Sequence, residues 1–215
     1  MSAKSILINK MIKISKATRY LLLTIGILGF LPACHKIIWQ NTPLKNLSSD
    51  SLAANIFQFN AARIDGTPFH FSELRGKVLL IVNTASKCGF APQLLALEEL
   101  YQRYKERGFV VLIFPSADFG NLEFDSPNEI QSNLTDRFGV TFPILNQSKI
   151  SGKEKDPIFK FLTESGGRPL KGEISWNYEK FLIDKNGKLR ARFGSFTLPL
   201  SDKIVSNVEK LLHED

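Results

Sequence analysis

KVLLIVNTASKCGFAPQLLALEELYQRYKERGFVVLIF, residues 77–114, reads in the order strand, turn, helix, strand. Lys77–Asn83 is a short apolar run rich in branched side chains, the composition of a strand buried on both faces. After Pro92, QLLALEELYQRYKER places Leu94, Leu97, Tyr101 and Tyr104 on one helical face and stops at Gly108. FVVLIF, Phe109–Phe114, is a second buried strand. Cys88 stands in the turn between the first strand and the helix. Such turns, at the carboxyl edge of an α/β sheet, are where sites form. The N–H groups and dipole of a helix start stabilise a thiolate, and Lys87 adds positive charge. A structural cysteine in the core is the other reading of Cys88.

Working outward, Asp65-Gly66 lies between alternating segments upstream and signals a hairpin. Downstream, Ser126-Pro127-Asn128-Glu129 reads as a capping box with proline at the first helical position, opening a helix that ends at Gly139. Asp156-Pro157 opens a shorter helix that closes at Gly166. FLIDKNGKLRARF folds back around Asn186-Gly187, and Ser201–His213 is a last helix with Ile204, Val205, Val208, Leu211 and Leu212 on its apolar side. The order hairpin, β, α, β, α, β-hairpin, α predicts a mixed sheet flanked by helices. It is the order of a thioredoxin-like α/β domain.

The 215 residues carry 28 Lys and Arg against 21 Asp and Glu, a net charge of +7 that by itself would suggest a nucleic-acid partner. Its location excludes that. Residues 1–33 hold Lys4, Lys10, Lys13, Lys16 and Arg19 and no acidic residue, so the rest of the chain carries only +2. The basic stretch runs into Leu21–Ala33, thirteen uncharged residues, too few for a membrane span of ~20 residues and suited to the apolar core of a secretory signal. LPAC, Leu31–Cys34, resembles the lipobox of bacterial lipoproteins at Leu31, Ala33 and Cys34, with Pro32 an unusual filler. That resemblance implies lipidation of Cys34 and cleavage before it. An uncleaved signal anchor and a plain secreted protein are the alternatives, and a start at Met11 would give a more ordinary basic region. The expected organisation is a signal over 1–33, a tether over 34–55 and one domain over 56–215. With Cys34 lipidated, Cys88 is left as a lone thiol in an oxidising compartment.

NTASKCGFAPQ, Asn83–Gln93, resembles the peroxidatic segment of the glutathione peroxidases, in which a cysteine or selenocysteine occupies the place of Cys88. The likeness extends in line through RIDGTPFHFSELRGKVLLIVN, LEELYQRYKERGFVVL, FGVTFPIL and ISWNYEKFLIDKNGKL, from about Ile56 to Leu212. It implies that the Cys88 thiolate attacks a hydroperoxide and becomes a sulfenic acid. It also implies that Trp176 and Asn177 supply hydrogen bonds around the sulfur, with no cofactor beyond an external thiol. A third family donor, a Gln, falls on Asp118 in FPSADFG. An ionised carboxylate cannot donate a hydrogen bond, and next to a thiolate it raises the thiol pKa and slows attack.

Two-cysteine relatives carry further cysteines where this chain has Ser116 and Thr135, so the reductant is expected from outside, glutathione or a thioredoxin-like protein. Only thirteen residues separate Leu162 from Trp176, which resembles the short, monomeric, phospholipid-hydroperoxide type. The expected partners are a hydroperoxide, a thiol and, through the lipid anchor, a membrane. The expected place is the periplasmic side of the cell envelope, with His35 after the lipidated cysteine favouring the outer membrane.

Other chemistries lack their residues. A disulfide oxidoreductase needs cysteine at Ala91, a copper-delivering relative needs one at Pro92, and a peroxiredoxin needs Thr or Ser at Ala85. His35, His70 and His213 make no metal-ligand spacing. The remaining rival is a lipoprotein that keeps the fold as an envelope binding module with impaired activity, for which Asp118 is the supporting feature.

Overall fold

The computed structural model describes residues 55–214. The predicted signal, the tether up to residue 54 and Cys34 lie outside the described residues. The chain enters through a 3-10 turn at Ile56–Gln58, capped by the Asn55 side chain, and forms the expected hairpin of β1 (Asn60–Ala62) and β2 (Pro68–His70). β3 (Val78–Thr84) and β4 (Phe109–Pro115) are buried along their whole length and pair in parallel. Between them runs α1 (Gln93–Tyr104), extended by a 3-10 turn that ends at Gly108 with φ +88. Glycine suits that left-handed stop, since no Cβ is there to clash.

β5 (Lys180–Ile183) pairs antiparallel with β3, and β6 (Leu189–Phe193) antiparallel with β5, giving the sheet order β4-β3-β5-β6. With helices on both faces this is the thioredoxin-like arrangement expected from the element order. Side chains alternate across the sheet as a pleat requires. Val78, Leu80 and Val82 face a core shared with α1 and α4 (Asp202–His213), while Leu79, Ile81 and Phe114 face a second core with α3 (Pro157–Glu164).

Three local readings differ from the sequence. On α1, Leu100 is fully buried and Tyr101 only half-buried, edge-on to Phe142, so the core face is centred one position away from the expected stripe. α2 (Pro127–Ser132) begins where expected with proline in its first turn, but Ser126 makes no side-chain cap; its backbone carbonyl accepts from Ile130 N instead. Beyond α2 the chain widens into a π-type turn over Asn133–Arg137 before Gly139.

Candidate active site

Three segments leave the sheet side by side at the carboxyl ends of β3 and β4. Thr84 sits opposite Pro115, and the Ser116 amide donates to the Thr84 carbonyl at 2.9 Å, so the turn after β3 and the loop after β4 start together. β5 runs back along β3 with Lys180 opposite Val82, which brings Trp176 and Asn177 to the same end. The joint is Asn83, a buried amide at the end of an apolar strand. Its Nδ2 donates to the Trp176 carbonyl (3.0 Å), its Oδ1 accepts from Glu179 N (3.0 Å), and its own carbonyl accepts from Tyr178 N (2.6 Å). In the sequence, the signal of this joint is a lone amide closing the branched apolar run Val78–Val82.

Cys88 is a free thiol, buried at 6% exposure. Its amide donates to the Ala85 carbonyl and its carbonyl accepts from Ala91 N, so tight turns lead from the cysteine into α1. The helix itself starts at Gln93, with Pro92 as its cap, which places Cys88 ahead of the first helical turn. Because the dipole's influence falls off within that turn, the helix start contributes less at Cys88 than its sequence position implied. Lys87 is also directed elsewhere: its Nζ donates to the Glu123 carbonyl (3.2 Å) and lies 4.3 Å from the centre of the Phe124 ring.

Glu123 and Tyr178 grip the cysteine turn. The buried Glu123 carboxylate accepts from Ser86 N (3.2 Å) and Phe124 N (2.9 Å), while Lys87 N donates to the Leu122 carbonyl (2.8 Å). Burial pushes the Glu123 carboxyl above its ordinary value. Tyr178 is fully buried at φ +66, a backbone state that bulky side chains rarely adopt, and its hydroxyl donates to the Ala85 carbonyl at 3.3 Å. Burial first, then the neighbouring Cys88 and Glu123, drive the Tyr178 hydroxyl pKa well up, so it remains a donor. A single acid between Leu122 and Phe124, and a tyrosine after Asn177, gave no pattern from which these roles could be read.

Trp176 is 41% exposed, with its ring tilted against Phe119 at 5.8 Å between centroids. Asn177 is fully buried; Nδ2 donates to the Phe119 carbonyl (3.2 Å), and Oδ1 has no partner among the described residues, nor has Thr84 Oγ1 at the same end of the sheet. The approach to Trp176 is fixed from behind by a buried ion pair, Arg192 Nη2 to Glu179 Oε2 at 2.7 Å. Arg192 also donates to the carbonyls of Gly172 (2.6 Å) and Glu173 (2.8 Å), and Glu179 Oε1 accepts from Ser175 N at 2.7 Å.

Asp118 reaches this end of the fold, but its carboxylate is occupied by the loop over 149–151. Oδ2 accepts from Ile150 N (2.7 Å), Ser151 N (2.9 Å) and Ser151 Oγ (3.2 Å), and Oδ1 lies 3.4 Å from Lys149 Nζ. The acid expected to address the sulfur therefore works as the acceptor that closes a neighbouring loop. Burial pushes its carboxyl pKa up, yet the two amides, the Ser151 hydroxyl and Lys149 outweigh that and hold it below its ordinary value. Of the two positions at which relatives carry further cysteines, Ser116 is buried and accepts from Asp118 N through Oγ (3.3 Å), and Thr135 Oγ1 donates to the Gln131 carbonyl (3.0 Å).

A family model described as glutathione peroxidase matches residues 56–163. The chain belongs to the glutathione peroxidase family. Glutathione peroxidase-like peroxiredoxin 1 of Saccharomyces cerevisiae is 44% identical over 159 residues, covering 74% of this chain and 94% of the relative. Hydroperoxy fatty acid reductase gpx1 of Synechocystis sp. is 44% identical over 163 residues, 73% of this chain and 95% of the relative. A crystal structure of Trgpx in apo form superposes with a TM-score of 0.61 at 33% identity, over 75% of this chain and 97% of that one. A thiol:disulfide interchange protein of Chlorobium tepidum, with a TM-score of 0.51 at 18% identity over 72% of this chain and 92% of its own, shares the fold alone. As a glutathione peroxidase family member, the chain is a thiol peroxidase, an oxidoreductase acting on a peroxide with a thiol as reductant.

Proposed function

We propose that Cys88 is the peroxidatic residue and that the enzyme reduces hydrogen peroxide and organic or lipid hydroperoxides at the envelope. The observation that carries this reading is the position of a free, buried thiol in the turn after β3, with Trp176 and Asn177 drawn to the same end through Asn83. The Cys88 thiolate attacks the distal peroxide oxygen. An S–O bond forms, the O–O bond breaks, and the alkoxide leaves as the alcohol after taking a proton. In this reading the Trp176 indole N–H and the Asn177 amide donate to the sulfur and the leaving oxygen. A first external thiol then condenses with the sulfenic acid, releasing water and forming a mixed disulfide. A second thiol frees Cys88 and departs as disulfide, so two thiols are oxidised per hydroperoxide reduced. Ser116 and Thr135 offer no internal resolving thiol, which supports glutathione or a thioredoxin-like protein as reductant.

In this reading Cys34 carries the lipid after the 1–33 signal is removed, and residues 34–55 tether a monomer to the periplasmic side of the outer membrane. The resemblance of Leu31–Cys34 to a lipobox supports it, and mass spectrometry of the mature protein should find a diacylglyceryl group on Cys34. An unmodified Cys34 would contradict the anchor alone. The rival binding-module reading drew on a carboxylate facing the thiol, and the occupation of Asp118 by Lys149–Ser151 removes that support.

Stopped-flow reduction of hydrogen peroxide and of a lipid hydroperoxide, with glutathione or a thioredoxin-like protein as reductant, tests the activity. Wild type should turn over both peroxides, and Cys88→Ser should fall to background. Equal, background-level rates for the two proteins would refute the reading.

A further inference from the structure

Among the described residues, the exposed large apolar side chains are Leu95 (57%), Trp176 (41%), Phe196 (78%) and Leu198 (61%). All four belong to segments at the Cys88 end of the sheet: the start of α1, the approach to β5 and the loop after β6. Phe196 packs edge-on against Phe90, two residues beyond Cys88, with centroids 5.0 Å apart.

The loop that carries Phe196 and Leu198 is tied down from beneath. Buried Lys180 Nζ donates to the carbonyls of Ser195 (3.2 Å) and Thr197 (2.8 Å), and Gln93 Nε2 donates to the Ser195 carbonyl (2.8 Å). Ser201 closes it through its amide and hydroxyl to the Leu198 carbonyl. The backbone is thus fixed while its two apolar side chains point outward, an arrangement that suits insertion into an apolar phase and that folding itself does not require.

The chain enters at the other end. Ile56 N donates to the Gly187 carbonyl in the turn between β5 and β6, and Gly76 N donates to the Lys185 carbonyl, which puts Asn55 beside the start of β3. A seven-residue strand spans ~23 Å at ~3.3 Å per residue. The twenty residues from His35 to Ala54 reach up to ~70 Å when extended. A domain held by a lipid on Cys34 therefore has enough chain to turn its Cys88 end to the membrane.

We propose that Phe196 and Leu198, with Phe90 packed against Phe196, form a docking surface that inserts into a phospholipid bilayer and seats the Cys88 end against it. The surface stands on its own geometry; its use in delivering lipid hydroperoxides rests on the activity proposed above. The described domain matches 94% and 95% of the full length of two relatives, so a fragment starting at His35 contains a complete folding unit.

That fragment is tested by co-sedimentation with phosphatidylethanolamine/phosphatidylglycerol vesicles. Wild type and Cys88→Ser should bind alike. Phe196→Ser/Leu198→Ser should partition about a hundredfold more weakly, the size expected when two large apolar side chains at about 1.5 kcal/mol each lose an apolar environment. Its hydrogen peroxide reduction should be unchanged, because neither residue belongs to the catalytic group. Equal binding by wild type and the double variant, or no binding by either, overturns the proposal. So does a wild-type dimer in analytical ultracentrifugation that the double variant abolishes, since the surface would then fit a second copy. Binding should likewise be unaffected by a peptide of Leu21–Ala33; displacement by it would assign the surface to the chain's own apolar segment. Vesicle binding by a protein that consumes no peroxide would keep the surface and refute only the activity.

Discussion

Asp118 is the residue at which the sequence and the fold point different ways. Aligned with a family Gln, it suggested a negative charge facing the thiolate, and Asp118→Gln should then have quickened attack. Its oxygens instead accept from Ile150, Ser151 and Lys149. A Gln has one acceptor oxygen where the carboxylate has two, and a longer side chain. We therefore expect Asp118→Gln to cost about 1–3 kcal/mol in denaturant unfolding, with no gain in rate. The pH dependence has a definite sign. The folded-state pKa is lowered, so the contribution of Asp118 is complete above the ordinary Asp value of ~3.9 and is lost as pH falls through the folded pKa. The variant should lose that part of the acid dependence; a faster peroxide reaction at unchanged stability would restore the charge-facing reading. Sequence alignment correctly located the departure from the family, but the partner segment lies 31 to 33 residues downstream, and only the fold brings it into contact.

At the scale of elements, the strand and helix order was legible because the periodicities were strong: two fully buried strands, a glycine stop at Gly108 and a hairpin at Asn186-Gly187. What escaped were the polar ties between elements, because a single Asn, Lys or Glu in an apolar run has no period. Lys180 on β5 is an example, fully buried and holding Gln93 at the start of α1 (2.5 Å) as well as the Ser195 and Thr197 carbonyls. Burial lowers its ammonium to about 7, with Glu179 pulling the other way. Below about pH 7 both folded and unfolded chains hold this proton and the cost of burying the charge is fully present. Between there and the ordinary lysine value of ~10.4, the unfolded chain binds more protons, so Lys180 makes stability rise with pH. Lys180→Met should remove that rise in unfolding free energy between pH 7 and 9 and speed amide exchange over residues 194–200. A variant with the same alkaline slope as wild type would show that the lysine keeps its proton throughout.

For the whole molecule, five of the seven net positive charges lie in residues 1–33, while the described domain gathers its candidate site at one end of the sheet. The same end gathers the free thiol, the Asn83 joint, the Glu123 and Tyr178 supports and the exposed apolar side chains. Cys88, Trp176 and Asn177 stand in short segments, NTASKCGFAPQ and ISWNYEKF, whose family resemblance could be seen in the sequence. The supports were not, since their role is to hold backbone carbonyls and amides that only meet on folding. The most direct measurement treats reduced protein with one equivalent of hydroperoxide, traps the product with a cyclic 1,3-diketone, and locates the adduct by peptide mass spectrometry. Cys88 should carry the adduct, and should carry none when thiol is added before the trap and reduces the sulfenic acid first. Peroxide consumed while Cys88 remains an unmodified thiol would contradict a peroxidatic role for Cys88.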